Sequence, residues 1–273
     1  MPELPEIEVL KRSLEPRLAG RRVLEVRIHS PALREPLDRG SLQSLAGRRI
    51  ERLGRRSKYL LLEVEPATTL VIHLGMSGRL TLAPEEVERE AHEHLSFRLD
   101  NGERLRLRDP RRFGVAFVAP TRDLGQDRHF RHLGAEPLAP ALTGGQLAAL
   151  AEGRRGPVKS FLMDGRLLVG VGNIYATEAL HRAGIHPARS VSRIGAERWE
   201  RLAVAVVAIL EQAIAQGGTT LNDFRDGAGR EGEFQGSLAV YGRAGEACPA
   251  CDATLRRIVQ AGRSSFYCPR CQR

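Results

Sequence analysis

All four cysteines of the chain fall in its last 26 residues, as Cys248-x2-Cys251, sixteen intervening residues and Cys268-x2-Cys271. Two close pairs at that separation fit a tetrahedral metal ion, each pair gripping one side. The intervening stretch contains "RRIVQAGRSSFY", two β-prone arms with Ala261-Gly262-Arg263 near the tip. The motif therefore predicts a β-hairpin zinc finger holding one structural Zn2+, with Cys248, Cys251, Cys268 and Cys271 as ligands. Four protein ligands leave no open position, so this metal is not expected to catalyse. Two disulfides are the alternative, which an intracellular setting disfavours. Arg256, Arg257 and Arg263 on the finger are expected to face phosphates.

The rest of the chain is long enough for one large or two modest domains at 273 residues. Lys and Arg number 42 against 33 Asp and Glu, a formal net charge of +9 that favours polyanionic partners. Aromatic residues are only 5%, which argues against a wide stacking platform for single strands. Pro2, Glu3 and Glu6 deny the N-terminus a basic, then apolar, targeting pattern. The longest apolar run, "LAVAVVAIL" at Leu202 to Leu210, is too short to span a bilayer. The expectation is a soluble, cytoplasmic monomer without a membrane partner.

Apolar Ile7, Leu10, Leu14 and Leu18 predict a helix over Glu3 to Leu18, with Gly20 beyond its end. "RVLEVRI", "KYLLLEV" and "TLVIHL" follow as short β-prone runs, and "HLSFRLDNGERLRLRD" reads as a hairpin turning at Asn101-Gly102. Residues 20 to about 120 are thus mostly antiparallel sheet, in a sandwich. Gly134 to Gly145 looks like a linker, and helices are predicted over Pro157 to Leu168, Asn173 to Ala183 and Ala196 to Gln216. Asn222 to Ser237 reads as a long mobile loop. The fold class is α+β, divided into residues 1–133, 134–237 and 238–273.

Several stretches admit two readings. Arg48, Arg49, Arg52, Arg55, Arg56 and Lys58 form either a solvated face or a DNA contact. "RDPRRFG" (Arg108 to Gly114) is either a capped turn with Phe113 in the core or a wedge into a duplex. "VGVGNIYATEAL" places Asn173 at a helix N-terminus, as a simple cap, a phosphate contact or both. His73, His92 and His94 lack the company a second metal needs, and read as hydrogen-bonded structural groups. "MPELPEIE" begins a helix with acids matched to the dipole. If Met1 is removed, Pro2 becomes a secondary amine with a pKa near about 8 and can attack a sugar aldehyde carbon. The product would be a charged iminium ion, with an adjacent carboxylate to move protons.

"MPELPE", "KYLLLEV", "HLGMSG", "DPRRFG", "GVGNIYATEAL", "VYGR" and the cysteine motif occur in this order from Met1 to the last residues. Together they closely resemble the bacterial formamidopyrimidine-DNA glycosylase family. The resemblance implies a bifunctional base-excision-repair enzyme that excises 8-oxoguanine and formamidopyrimidines from double-stranded DNA. The enzyme would then cut the strand at the abasic site by β- and δ-elimination. It implies an N-terminal catalytic sandwich, a helix–two-turn–helix DNA-binding domain with a lesion-capping loop between Gly217 and Tyr241, and the zinc finger. By the same resemblance Pro2 is the nucleophile, Glu3 the acid/base and Glu6 its support. Lys58 serves β-elimination, and Arg263 serves δ-elimination and phosphate contact. Met76, Arg111 and Phe113 fill the gap left by the flipped nucleotide. His73, His92, Arg154, Lys159 and Asn173 contact DNA. Leu4 and Phe113 favour this branch over the endonuclease VIII branch, which prefers oxidised pyrimidines. A non-catalytic zinc-ribbon DNA-binding protein is the alternative from another class.

Overall fold

The computed structural model describes residues 2–220 and 224–273. The chain forms two compact units, Met1–Arg131 with Gln216–Gln235, and His132–Ala215 with Gly236–Arg273. The segment that the sequence reading groups with the helical domain as its loop thus packs with the N-terminal unit.

The first unit opens with helix α1 (Leu4–Leu18), followed by β1 (Val23–Ile28) and the short α2 (Arg39–Gln43). Seven strands follow: β2 (Ile50–Arg56), β3 (Tyr59–Val64), β4 (Thr68–His73), β5 (Arg79–Pro84), β6 (Glu93–Leu99), β7 (Glu103–Arg108) and β8 (Val115–Pro120). They form two four-stranded antiparallel sheets, ordered β1-β6-β7-β5 and β2-β3-β4-β8. The sequence pattern explains the layering. In β3 every second residue, Leu60, Leu62 and Val64, is buried, as a sheet with one core-facing side requires. Ile7, Leu10, Leu14 and Leu18 of α1 are at most 1% exposed and join these residues in one apolar cluster. The α1 helix packs against β2 and β3, and Glu15 accepts the Leu53 N–H at 3.2 Å. The hairpin at Asn101-Gly102 forms as expected, with Asp100 to Gly102 as its three-residue loop.

The second unit contains α3 (Gly144–Ala151), α4 (Val158–Leu162), α5 (Asn173–Arg182) and α6 (Ala196–Ala215), then β9 (Arg256–Gln260) and β10 (Arg263–Tyr267). The α6 helix packs on α3 and α5, with Trp199, Leu202, Val206, Ile209 and Ala213 on its buried face. Two expectations need correction. The predicted helix over Pro157 to Leu168 stops at Leu162, because Asp164 turns the chain and accepts the Arg166 N–H. The predicted linker is pinned rather than free, since Ala135 bridges Leu168 and Gly134 N–H donates to Gly165. Its last residues already begin α3, started by a capping box between Thr143 and Gln146.

Truncating the apolar face of α1 should be costly. Leu10→Ala is expected to destabilise the protein by about 2–5 kcal/mol, measured by denaturant unfolding; a change under about 0.5 kcal/mol would show that the helix face is not part of the core.

Candidate active site

The N-terminus of α1 is built around a buried carboxylate. Glu3 is the N-cap, in extended conformation (φ −106°, ψ −165°), and Pro5 occupies the first turn, where its missing N–H costs nothing. One oxygen of Glu6 accepts the Glu3 N–H at 2.7 Å. The other accepts the Thr219 N–H at 2.8 Å. Glu3 and Glu6 are 3% and 2% exposed, and Pro2 is buried beside them in sequence. The helix-start reading and the chemical reading therefore describe the same residues: a capping box that also fixes the chain at 219. Beyond Thr219, Gly227 N–H donates to Ser13 Oγ at 2.9 Å and the Gly227 carbonyl accepts from Leu82 N–H. Asp226 accepts the N–H groups of Ala228 and Arg230. The described part of the expected mobile loop is thus tied to α1 and β5; Asn222 and Asp223, which belong to the same expectation, lie outside the described residues.

Four of the expected DNA-contact residues are assembled around a second buried carboxylate, Asp109, which is 0% exposed. Asp109 accepts from Ser77 Oγ at 2.6 Å and from Gly114 N–H at 2.7 Å. Its backbone carbonyl meets His94 Nε2 at 2.9 Å, and its N–H donates to the His92 carbonyl. Ser77 Oγ also accepts the Arg111 N–H. The turn carrying Met76 lies against the turn carrying Phe113 so closely that a Cβ on Gly75 would stand 2.4 Å from the Phe113 backbone. Met76 and Phe113 remain 42% exposed, and the Arg111 guanidinium lies over the Phe113 ring at 4.7 Å. The core reading of Phe113 is therefore wrong. Met76, Arg111 and Phe113 thus stand exposed together on interlocked turns, an arrangement suited to the expected wedge. His92 is exposed with φ +66°.

His73 has internal partners on one side of its ring. Its Nδ1 accepts the Gly75 N–H at 3.1 Å, and the Tyr59 ring packs 4.8 Å from it. Burial, then the charges of Lys58 and Arg34, push its pKa down to about 4, so it is neutral at neutral pH and carries its proton on Nε2. Much of the basic cluster before it also has internal partners. Arg48 donates to Thr68, Arg49 to the Gly20 carbonyl, Arg52 pairs with Glu63, and Arg55 pairs with Glu8 and the Ser57 carbonyl. Lys58 follows Ser57 at the β2–β3 turn, half-buried.

In the second unit, Gly172 is the N-cap of α5, and Asn173 is its first helical residue. The capping reading of Asn173 is thereby corrected. Its side chain meets the Tyr241 hydroxyl at 3.3 Å, and its Oδ1 is buried without a hydrogen-bond partner among the described residues. A third buried carboxylate, Glu178, accepts the N–H groups of Ala239, Val240 and Tyr241 at 2.8–3.0 Å. Lys159 is buried, 2% exposed, and donates to the Ser264 carbonyl at 2.9 Å and Ser265 Oγ at 2.8 Å. It reaches into the strand that begins with the exposed Arg263. Arg154 is exposed after α3, its Nε donating to Leu150.

The four cysteine sulfurs lie within 4.8 Å of one another, Cys251 and Cys268 at 3.4 Å and Cys248 and Cys271 at 3.9 Å. Tetrahedral Zn–S bonds require about 3.8 Å between sulfurs, so the site fits one structural Zn2+. Between the cysteine pairs, β9 and β10 are joined by Ala261 and Gly262, both at positive φ (47° and 73°), the backbone of a two-residue type I′ turn.

Asp109, Ser77, Glu178 and Thr219 were not singled out from sequence. For Asp109 and Glu178 the signal is an acidic residue inside a motif otherwise rich in Arg or apolar groups, and Ser77 and Thr219 carry none. Their partners are set by the fold.

Comparison with known proteins accounts for nearly the whole chain. Residues 1–116 match the formamidopyrimidine-DNA glycosylase N-terminal domain, 133–225 the formamidopyrimidine-DNA glycosylase H2TH domain, and 245–273 the zinc finger found in FPG and IleRS. A formamidopyrimidine-DNA glycosylase of Magnetococcus marinus is 46% identical, and one of Xanthomonas campestris 47%, each over 100% of both chains. Among solved structures, a Lactococcus lactis FPG mutant in complex with Fapy-dG containing DNA superposes with a TM-score of 0.92 at 30% identity, covering 100% of both chains. The Lactococcus lactis Fpg complex with abasic-site DNA gives 0.91 at 31%, covering 99% of both.

Asp109→Ala is expected to cost about 2–4 kcal/mol by stranding buried donors and to weaken duplex binding although no exposed side chain is lost; unchanged binding would mean the wedge is held by other contacts. Chelating the zinc should unfold the β9–β10 hairpin and abolish duplex binding in a gel-shift assay, with recovery on adding zinc back. Binding that survives complete zinc removal would refute that dependence.

Proposed function

The chain belongs to the formamidopyrimidine-DNA glycosylase family, a DNA repair glycosylase with a structural zinc finger, and we propose that it excises oxidised purines through a Schiff base on Pro2 and then cuts the strand. The observation that carries this reading is a proline at the second position beside two buried carboxylates, in a chain that aligns end to end with glycosylases of this name. Double-stranded DNA containing Fapy-dG or an abasic site, as in the Lactococcus complexes, is the substrate class.

Stacked inside a duplex, a base hides its glycosidic bond, so the nucleotide must be everted at a cost of about a few kcal/mol. Met76, Arg111 and Phe113 fill the space it leaves. With Met1 removed, the neutral Pro2 nitrogen attacks C1′ and the C1′–base bond breaks, the base leaving with a proton from an acid. Opening of the sugar ring gives an iminium ion at C1′. A proton is then lost from C2′ and the 3′ phosphate departs, which is β-elimination; loss of the 5′ phosphate follows as δ-elimination. Glu3 is the carboxylate placed to move these protons, and Glu6 holds it there through its bond to the Glu3 N–H. Lys58 is the base assigned to the first elimination. Arg263 serves the second and contacts phosphate. Asn173, His92, Arg154 and Lys159 serve the DNA grip, with Lys159 acting through the finger strand that it anchors. The exposed arginines supply sequence-independent affinity that should fall steeply with salt.

Borohydride should trap a covalent adduct with duplex DNA carrying 8-oxoguanine, and peptide mapping should place it on Pro2 in protein whose intact mass lacks Met1. Pro2→Gly should lower strand cleavage by about 100-fold or more while leaving DNA binding nearly intact. No adduct from correctly processed protein that still binds DNA would sink the assignment, and equal loss of binding and cleavage would make Pro2 structural.

A further inference from the structure

The four-cysteine site has a neighbour that belongs to the helical part of the second unit. His181 lies in the last turn of α5, and its Nε2 stands 3.6 Å from Cys248 Sγ. That sulfur belongs to a residue that is 0% exposed. The clustered ligands are the four cysteines alone, so His181 stands beside the ligand set rather than in it. A zinc-bound thiolate carries no proton, and the ring nitrogen facing it must therefore be the donor. Cys268 Sγ accepts the Cys271 N–H at 3.3 Å, a donor from its own close pair. Cys248 draws on a side chain 67 positions earlier in the chain.

The second cysteine pair meets the same helix end by a different route. Gln272, 2% exposed, accepts the Cys268 N–H at 2.8 Å and donates to the Ile185 carbonyl at 2.9 Å. The Arg273 N–H donates to the Gly184 carbonyl. Both halves of the metal site thus rest on the C-terminal end of α5 and the residues just after it. We propose that His181 is a positioning residue of the zinc site: its Nε2–H donates to the Cys248 thiolate, and through that bond α5 helps to retain the metal. Four thiolates around one Zn2+ leave net negative charge on the sulfurs. A fixed donor stabilises that charge and orients the ligand, so the metal is held more tightly. The bond concerns metal retention and is independent of the chemistry proposed for Pro2.

The test uses the full-length, zinc-loaded protein and its His181→Phe and His181→Gln variants. Phe keeps a planar ring without the N–H, whereas Gln offers an amide N–H at a similar reach. Zinc affinity is measured by competition with a chromophoric chelator. Each protein is also loaded with cobalt, and its sulfur-to-metal charge-transfer absorption is recorded. His181→Phe is expected to weaken zinc binding about tenfold or more. It should also move the charge-transfer band to longer wavelength, because a thiolate without its donor releases electron density more readily. His181→Gln should stay close to the unsubstituted protein in both measurements. Unchanged zinc affinity in His181→Phe would overturn the proposal. So would weaker binding with an unmoved band, or equal losses in the two variants, since a ring that only fills space would act that way.

Discussion

A buried carboxylate that accepts backbone N–H groups is the interaction on which the exposed chemistry of this protein depends. It recurs among the described residues, and three instances lie under segments of the candidate site. Glu6 takes the N–H groups of Glu3 and Thr219, Asp109 that of Gly114, and Glu178 those of Ala239, Val240 and Tyr241. Irregular backbone cannot satisfy its own donors as a helix or sheet does. A charged acceptor satisfies several at once and holds a turn in one conformation. Each carboxylate stands under a segment whose neighbouring side chains are proposed to meet DNA. These buried acids shape the irregular backbone from beneath.

The arginines divide into two groups. A net charge of +9 suggests an excess waiting for a polyanion, yet Arg48, Arg49, Arg52 and Arg55 are engaged within the protein. Composition reports the affinity for a partner only after these internal partners are set aside. What remains is concentrated on turns and on the finger, with Arg111 held over Phe113. This distribution lets the protein bind a phosphate backbone without its charges repelling one another along the sandwich.

The parts legible in the sequence were those governed by local periodicity or spacing. The α1 face, the hairpin at Asn101-Gly102, the α6 face and the paired cysteines each announce themselves within a short window. The α3 helix escaped because two glycines follow Thr143, although its capping box with Gln146 was there to be read. Phe113 resisted because exposure is decided by the partner turn at Gly75, many residues away. Glu178 resisted for the same reason, as its three donors lie some sixty positions on. The chemistry proposed for Pro2 was legible only through the ordered resemblance of the whole chain, since a proline near a helix start is ordinary by itself.

The anchoring of Gly227 to Ser13 and Leu82 has a further consequence for how this segment can vary. An untethered loop is one span whose closure entropy depends on its full length. A fixed point in the middle turns it into two shorter spans that close independently. Insertions on one side of Gly227 then leave the register of the other side untouched. Selection can lengthen or retune one half without loosening the other.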